Sequence, residues 1–308
     1  MTRFRLGAGD PGWPSCLDEL AQLGSTSELR SLWAEGDLPP LPGVAVVGAR
    51  RAGASGIEVA RRLGGDLGRR GVTVVSGFAR GVDAAAHRGC LEAGGRTVAV
   101  LGCGLDVDYP PQHRALRAEV TGAGALISEY EPDDAPLAWH FPHRNRVIAA
   151  LAHAVVVVEA GIGSGALSTA RWAADLGREV LAVPGSTLGP ASAGSNLLLR
   201  DGARPYLDVS DLADVVPECA FPLVTSRRGR GRGHVRALGC AEGGDASSGR
   251  GAPHSRLLAV LGGEPVHRET LAGALDLSAS GLAVLLAEME LAGNIRRLPG
   301  GLVARARW

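Results

Sequence analysis

The chain has 308 residues, 45% hydrophobic and 21% charged, enough for one large globular domain and a small one. Its 32 basic residues, all arginine, balance 32 acidic ones, which excludes a protein that coats nucleic acid over its whole surface; any such chemistry must use a local pocket, and every cation in it is a planar fork suited to phosphate. Five widely spaced cysteines with no CxxC pair suggest neither a disulfide framework nor a metal site, and no cofactor is expected.

The opening stretch "MTRFRLGAGDPGW" lacks the apolar core of a signal peptide. The apolar run 147–160, interrupted by His153, is too short to span a bilayer. The expectation is a cytoplasmic protein with no membrane partner. Residues 1–42 read as an irregular lead-in, with helices near 15–23 and 27–35. From 43 to 216 short β-rich runs alternate with helical stretches: "VAVVG" (44–48), "VTVVSG" (72–77), "TVAVLG" (97–102), "GALISE" (124–129), "AVVVVEA" (154–160) and "EVLAVPG" (179–185). Valine runs of this kind fit strands covered on both faces. Strands alternating with helices imply βαβ units, hence an α/β fold: a doubly wound, Rossmann-like parallel sheet. Residues 217–252, rich in Gly, Arg and Ser, read as a flexible linker. Residues 253–308 suggest three helices followed by two strands around "LPGG", the pattern of a small winged-helix domain.

Ligands of an open parallel sheet bind beyond the carboxyl ends of its strands, and four segments there carry suggestive chemistry. "GARRAGASG" (48–56) follows a strand and opens a helix. Gly48 and Gly53 either direct backbone N–H groups at an anion on the helix N-terminus or simply make a tight turn. The spacing approaches a P-loop, but Ala54 stands where that motif needs Lys, which argues against nucleotide hydrolysis. In "SGFARGVDAAAH" (76–87), Ser76 and Gly77 begin a second loop, and Asp83 and His87 are four apart on one helix face. The pair could serve acid–base or metal chemistry; a local helix pair, or a carboxylate bonded to loop amides, is favoured, since no further ligand completes a metal set. In "FPHRNRVIAAL", a helix starting near Pro142 would place Arg144 and Arg146 near its first turn, where cations oppose the dipole. Either an anion is shared between them and the helix terminus, or they pair with Glu129, Glu131 or Glu159. The fourth loop, "EAGIGSGALSTA" (159–170), offers Gly163, Ser164 and Gly165 as backbone and hydroxyl donors. The four loops contain no evident nucleophile–base pair. Phe78, Trp139 and Phe141 are candidates for stacking with bases, though each is by type more often a core residue.

In their order, "VAVVGARRAGASG", "VVSGFARGVDAAAH", "TVAVLGCGLDVDYP", "SEYEPDDAP", "FPHRNRVIAAL", "VVVVEAGIGSGALSTA", "REVLAVPG" and "GSNLLLRDGA" resemble the DprA/Smf family of bacterial DNA-processing proteins. The similarity is close over 40–216 and looser in the tail. Ala49 stands where Ser is common, and Ala152-His153 replaces a Ser-containing pair. The helical domain that some members carry in front is expected to be missing. The resemblance implies a non-enzymatic single-stranded-DNA (ssDNA) binder that protects incoming DNA in natural transformation and loads the RecA recombinase past single-strand-binding protein. It also implies a homodimer, for which the apolar segment 206–216 is a candidate surface. Arg50, Arg144 and Arg146, supported by Asn145, carry over as DNA-pocket residues. The rival reading is a nucleotide phosphoribohydrolase-like enzyme on a similar fold. The loop 159–169 lacks that family's Pro-Gly-Gly start and closing Glu. A duplex-DNA regulator is disfavoured as well, because the expected recognition helix 278–292 has two Glu and no Arg.

Overall fold

The computed structural model describes residues 3–24 and 28–219 and, farther along, residues 257, 261, 266–267, 271, 282, 285–286, 289–290, 295–298 and 302–305. The chain divides into two compact units, Met1–Thr225 and Ser226–Trp308.

The first unit is built on β1 (Arg3–Gly7), β2 (Ser31–Gly36), β3 (Gly43–Val47), β4 (Val74–Ser76), β5 (Thr97–Val100), β6 (Ala125–Ser128), β7 (Ala152–Val157), β8 (Glu179–Ala182) and β9 (Arg204–Pro205). They form one sheet in the order β1-β2-β6-β5-β4-β3-β7-β8-β9. From β3 to β9 neighbouring strands are parallel. All five residues of β3 are buried, as valine-rich strands covered on both faces require. Six helices connect them: α1 (Ala54–Arg69), α2 (Val82–Glu92), α3 (Arg114–Ala123), α4 (His140–Ala150), α5 (Ala166–Asp175) and α6 (Ala193–Arg200). Glycines let α1 and α2 approach closely. A Cβ at Gly64 would lie 2.1 Å from the Ala86 carbonyl oxygen, and one at Gly89 1.9 Å from that of Arg61. The chain runs outward from β3 through β4, β5 and β6, then returns to place β7 on the other side of β3. Loops leaving β3 and β7 therefore diverge at a topological switch point, where open α/β sheets bind ligands.

The lead-in differs from the expectation. Residues 31–36 form β2, antiparallel to β6, not a helix, and β1 adds outside it. Leu32 and Ala34 are buried and alternate with partly exposed Ser31, Trp33 and Glu35. Six residues are too few to separate that period of two from a helical one; the open edge of β6 decides. Ser15–Leu23 is a 3-10 helix. At the other end, Tyr206, Val209, Leu212 and Val216 of the candidate self-association segment pack into the core beneath α1, and only Leu207 of its large apolar residues is exposed. That segment is spent on folding. The core continues to Cys219, which is buried.

In the second unit, Leu257, Leu261, Leu282, Met289, Ile295 and Val303 belong to one apolar cluster. β10 (Val266–His267), β12 (Leu302–Arg305) and β11 (Ile295–Leu298) make an antiparallel sheet in that order. The expected linker beyond Cys219 and most of the three expected helices lie outside the described residues.

Candidate nucleic-acid interface

A groove of about 840 Å³ opens across the carboxyl edge of the sheet, lined by the loops after β3, β4, β5 and β7 and by the start of α4. The first two loops are in direct contact. Gly81 has φ +78°, and a Cβ there would lie 2.2 Å from the Ala49 carbonyl oxygen; Val82 donates its amide to the same oxygen at 3.3 Å. That contact brings Arg80 beside Arg50 and Arg51. All three are exposed, all three line the groove, and none has a carboxylate within ion-pair distance among the described residues. Arg50 lies over the Phe141 ring, 5.0 Å from its centroid. Tyr109 stands 5.4 Å from the same ring, centroid to centroid. A cation lying over one aromatic ring, with a second ring beside it, can hold a phosphate while a base stacks on the rings.

The floor is made of buried charge. Arg144 is 4% exposed and donates to the carbonyls of Gly77, at 2.9 Å, and Val100. Asp83 accepts from the amides of Gly77 and Ala79 at 3.1 and 3.2 Å. The carboxylate is thus bonded to loop amides, the favoured reading of its place beside His87. Burial drives both groups towards neutrality: Asp83 is pushed up to about 6 and Arg144 down to about 10, each opposed by the other's charge. His87 meets neither. Its Nδ1 sits 2.6 Å from Thr97 Oγ1, whose own proton goes to the Val74 carbonyl, and burial pushes the ring down to about 3. Among the described residues no group of metal-ligating side chains comes together.

Arg146 departs from the expectation of two arginines sharing one anion. Both of its terminal nitrogens grip Glu129, at 2.8 and 2.7 Å, and it is 2% exposed. Helix geometry forbids the shared grip, since residues two apart point to opposite sides. Moreover, α4 begins at His140, so Arg144 lies in its second turn. Asn145 binds the fourth loop, donating to the Gly165 carbonyl at 3.1 Å. Gly163, Ser164 and Gly165 line the groove. A Cβ at Gly163 or Gly165 would meet nothing within 4 Å, so the fold itself does not demand glycine there; open space in front of the backbone does invite a ligand.

Gly48 lines the groove, but Gly53 does not face an external anion. Its amide is taken by Glu159, at 3.1 and 3.3 Å to the two carboxylate oxygens. Ser76 is fully buried and donates to the Val46 carbonyl at 2.6 Å, a stitch between strands. Gly77 is buried in the floor, where it contacts both Arg144 and Asp83. Of the aromatic candidates, Phe141 lines the groove, Phe78 is buried between His87 and His113, and Trp139 packs on Tyr130 and His140. Sequence reasoning missed Arg51, Arg80 and Tyr109. The dipeptide Arg50-Arg51 and Arg80 within a Gly-flanked turn were the available signals; what distinguishes them is the lack of a carboxylate partner among the described residues, a tertiary fact.

Residues 5–217 match the family described as DNA recombination-mediator protein A, and residues 244–301 match the DprA winged helix domain. A putative DNA processing protein DprA of Mycobacterium tuberculosis is 49% identical over 172 residues, 56% of this chain and 44% of that relative's length. The chain thus spans less than half of that relative. The X-ray structure of DNA processing protein A from Streptococcus pneumoniae superposes with a TM-score of 0.63 at 35% identity, covering 70% of this chain and 74% of that one. The Helicobacter pylori protein, whose structure was solved for its single-stranded DNA binding mode, superposes with a TM-score of 0.62 at 28% identity, covering 71% of this chain and 97% of that one.

Proposed function

The chain belongs to the DNA recombination-mediator protein A family, and from that premise we propose that its groove binds single-stranded DNA without catalysing a reaction on it. The observation that carries this reading is the trio Arg50, Arg51 and Arg80, exposed in the groove beside Phe141 and without a carboxylate partner among the described residues, on a chain with no net charge. Three guanidinium forks neutralise successive phosphates. Phe141 and Tyr109 supply faces on which any base stacks, whatever its sequence. The amides of Gly163 and Gly165 offer further donors, while that of Ser164 is held by the Gly161 carbonyl at 3.0 Å. Arg144 and Asn145 hold the floor and the fourth loop in place, and Arg146 holds α4 to Glu129.

In this reading the protein shields incoming strands in natural transformation and hands them to RecA past single-strand-binding protein, working in the cytoplasm as a homodimer. Support for these finer roles is family membership; among the described residues no helix is long and apolar enough to cross a membrane. Anisotropy of a fluorescent oligothymidylate tests the core of the proposal. Unlabelled single strands should displace it, duplex DNA should do so weakly, and mononucleotides not at all. Equal displacement by duplex would overturn the reading. The RecA step has its own assay, filament growth on strands coated with single-strand-binding protein, and no acceleration by this protein would remove that role.

A further inference from the structure

The loop 48–56 has the glycine spacing of a phosphate-binding turn and opens the 16-residue helix α1. A turn of this kind directs backbone N–H groups and the positive end of the helix dipole at an anion. The anion present is internal. Glu159, at the end of the strand run that begins with β7, places both carboxylate oxygens on the Gly53 amide, at 3.1 and 3.3 Å. Its carboxylate also fills the space in front of the first turn, for a Cβ at Gly56 would lie 2.5 Å from Oε2. Gly53 caps the helix with its own backbone and no side-chain bond. Glu159 is 9% exposed, and it makes no ion pair among the described residues. A buried carboxylate without a cation is costly unless something else stabilises it; here the amide and the helix terminus do so. Two glycines, 53 and 56, thus leave room for one side chain contributed from 106 positions away.

We infer that Glu159 is a resident phosphate surrogate: it occupies the anion cradle at the start of α1 and so denies that cradle to free phosphate and to the phosphates of mononucleotides. Residues 53–55 are exposed at the rim of the cradle, so removing the side chain opens it to solvent. The consequence is a division of labour on one sheet edge. The cradle is closed by its own carboxylate, and external anions are left to the arginine groove. The inference holds whether or not that groove takes DNA.

Inorganic pyrophosphate is the probe, and thermal unfolding of the full chain, with and without it, is the measurement. Glu159→Ala should melt below the wild type without pyrophosphate, and pyrophosphate should raise its Tm by more than it raises that of the wild type. The extra rise should be about 3–5 °C at ten times the dissociation constant. The wild type records whatever the groove arginines take up. Glu159→Gln still fills the space and should respond as the wild type does. If Glu159→Ala does not fold alone, pyrophosphate in the refolding buffer should restore the fold, because it replaces the missing anion. A folded Glu159→Ala protein with no rise beyond that of the wild type, an equal extra rise in Glu159→Gln, or an unfolded variant that pyrophosphate cannot rescue would each overturn the inference.

Discussion

Replacing Arg50 and Arg146 separately by alanine distinguishes an arginine that meets solvent anions from one that meets a carboxylate. Arg50 is exposed and has no carboxylate within ion-pair distance among the described residues. If Arg50, Arg51 and Arg80 each neutralise one phosphate of a single strand, log affinity should fall with log salt at a slope of about −2, at roughly 0.7 per phosphate. Between 50 and 200 mM salt that is a loss of about 18-fold. Arg50→Ala should flatten the slope to about −1.4, a loss of about 7-fold over the same range. Its Tm should hardly move, since no buried charge is stranded. Arg50→Lys should keep the slope yet bind less well, because the planar fork over Phe141 is gone. Arg146→Ala should do the opposite. It strips a two-point partner from Glu129, whose side chain is 11% exposed, leaving the carboxylate with the His143 ring 3.4 Å away, and breaking a buried pair from one side costs about 3–5 kcal/mol. For a unit of this size that corresponds to a Tm lower by about 10 °C, with the salt slope of the folded fraction unchanged. Salt-dependent anisotropy and a melting curve on the same two preparations decide. A slope flattened equally by both variants, or by Arg146→Ala alone, would refute the assignment.

Asp83 gives a pH signature. Burial raises it from 3.8 to about 6, so between those values the native state holds more protons than the unfolded one, and the contribution of Asp83 to stability falls as pH rises. The Tm of Asp83→Asn relative to wild type should therefore climb from pH 4 to 6 and then level off; a flat difference would contradict it. Gly163→Ala should leave stability within about 0.5 kcal/mol, because its Cβ meets nothing, yet weaken strand binding; unchanged affinity would place the strand elsewhere. Leu32→Ala, at a site 2% exposed on β2, should cost about 2–5 kcal/mol by chemical denaturation; a negligible cost would deny that β2 is part of the core. A chain ending at Thr225, the limit of the first unit, should keep most of its single-strand affinity, and its loss would move the site to the second unit.

Much of the scaffold was legible from local pattern. The valine runs of β3, β4 and β7 can be covered only on both faces, and glycine-rich turns between such strands and helices put loops 48–53, 76–81 and 161–165 at the carboxyl edge, because a right-handed parallel crossover leaves them nowhere else. The resemblance of ordered motifs supplied the family. What local pattern cannot contain is the choice of partner. Nothing near Arg146 states that it will find Glu129 while Arg144, two residues earlier, turns to the carbonyls of Gly77 and Val100; that split follows from the 200° between them on a helix whose two sides face different elements. Nothing near Gly53 announces the carboxylate 106 residues away that takes its amide. The strand β2 was decided by the open edge of β6, and Arg51 and Arg80 became candidates only once packing had left them without carboxylate partners among the described residues. Periodicity and turn chemistry act over a few residues and are written in order along the chain. Pairing of charges is settled by packing among groups far apart in sequence, and only the folded sheet edge brings them within reach.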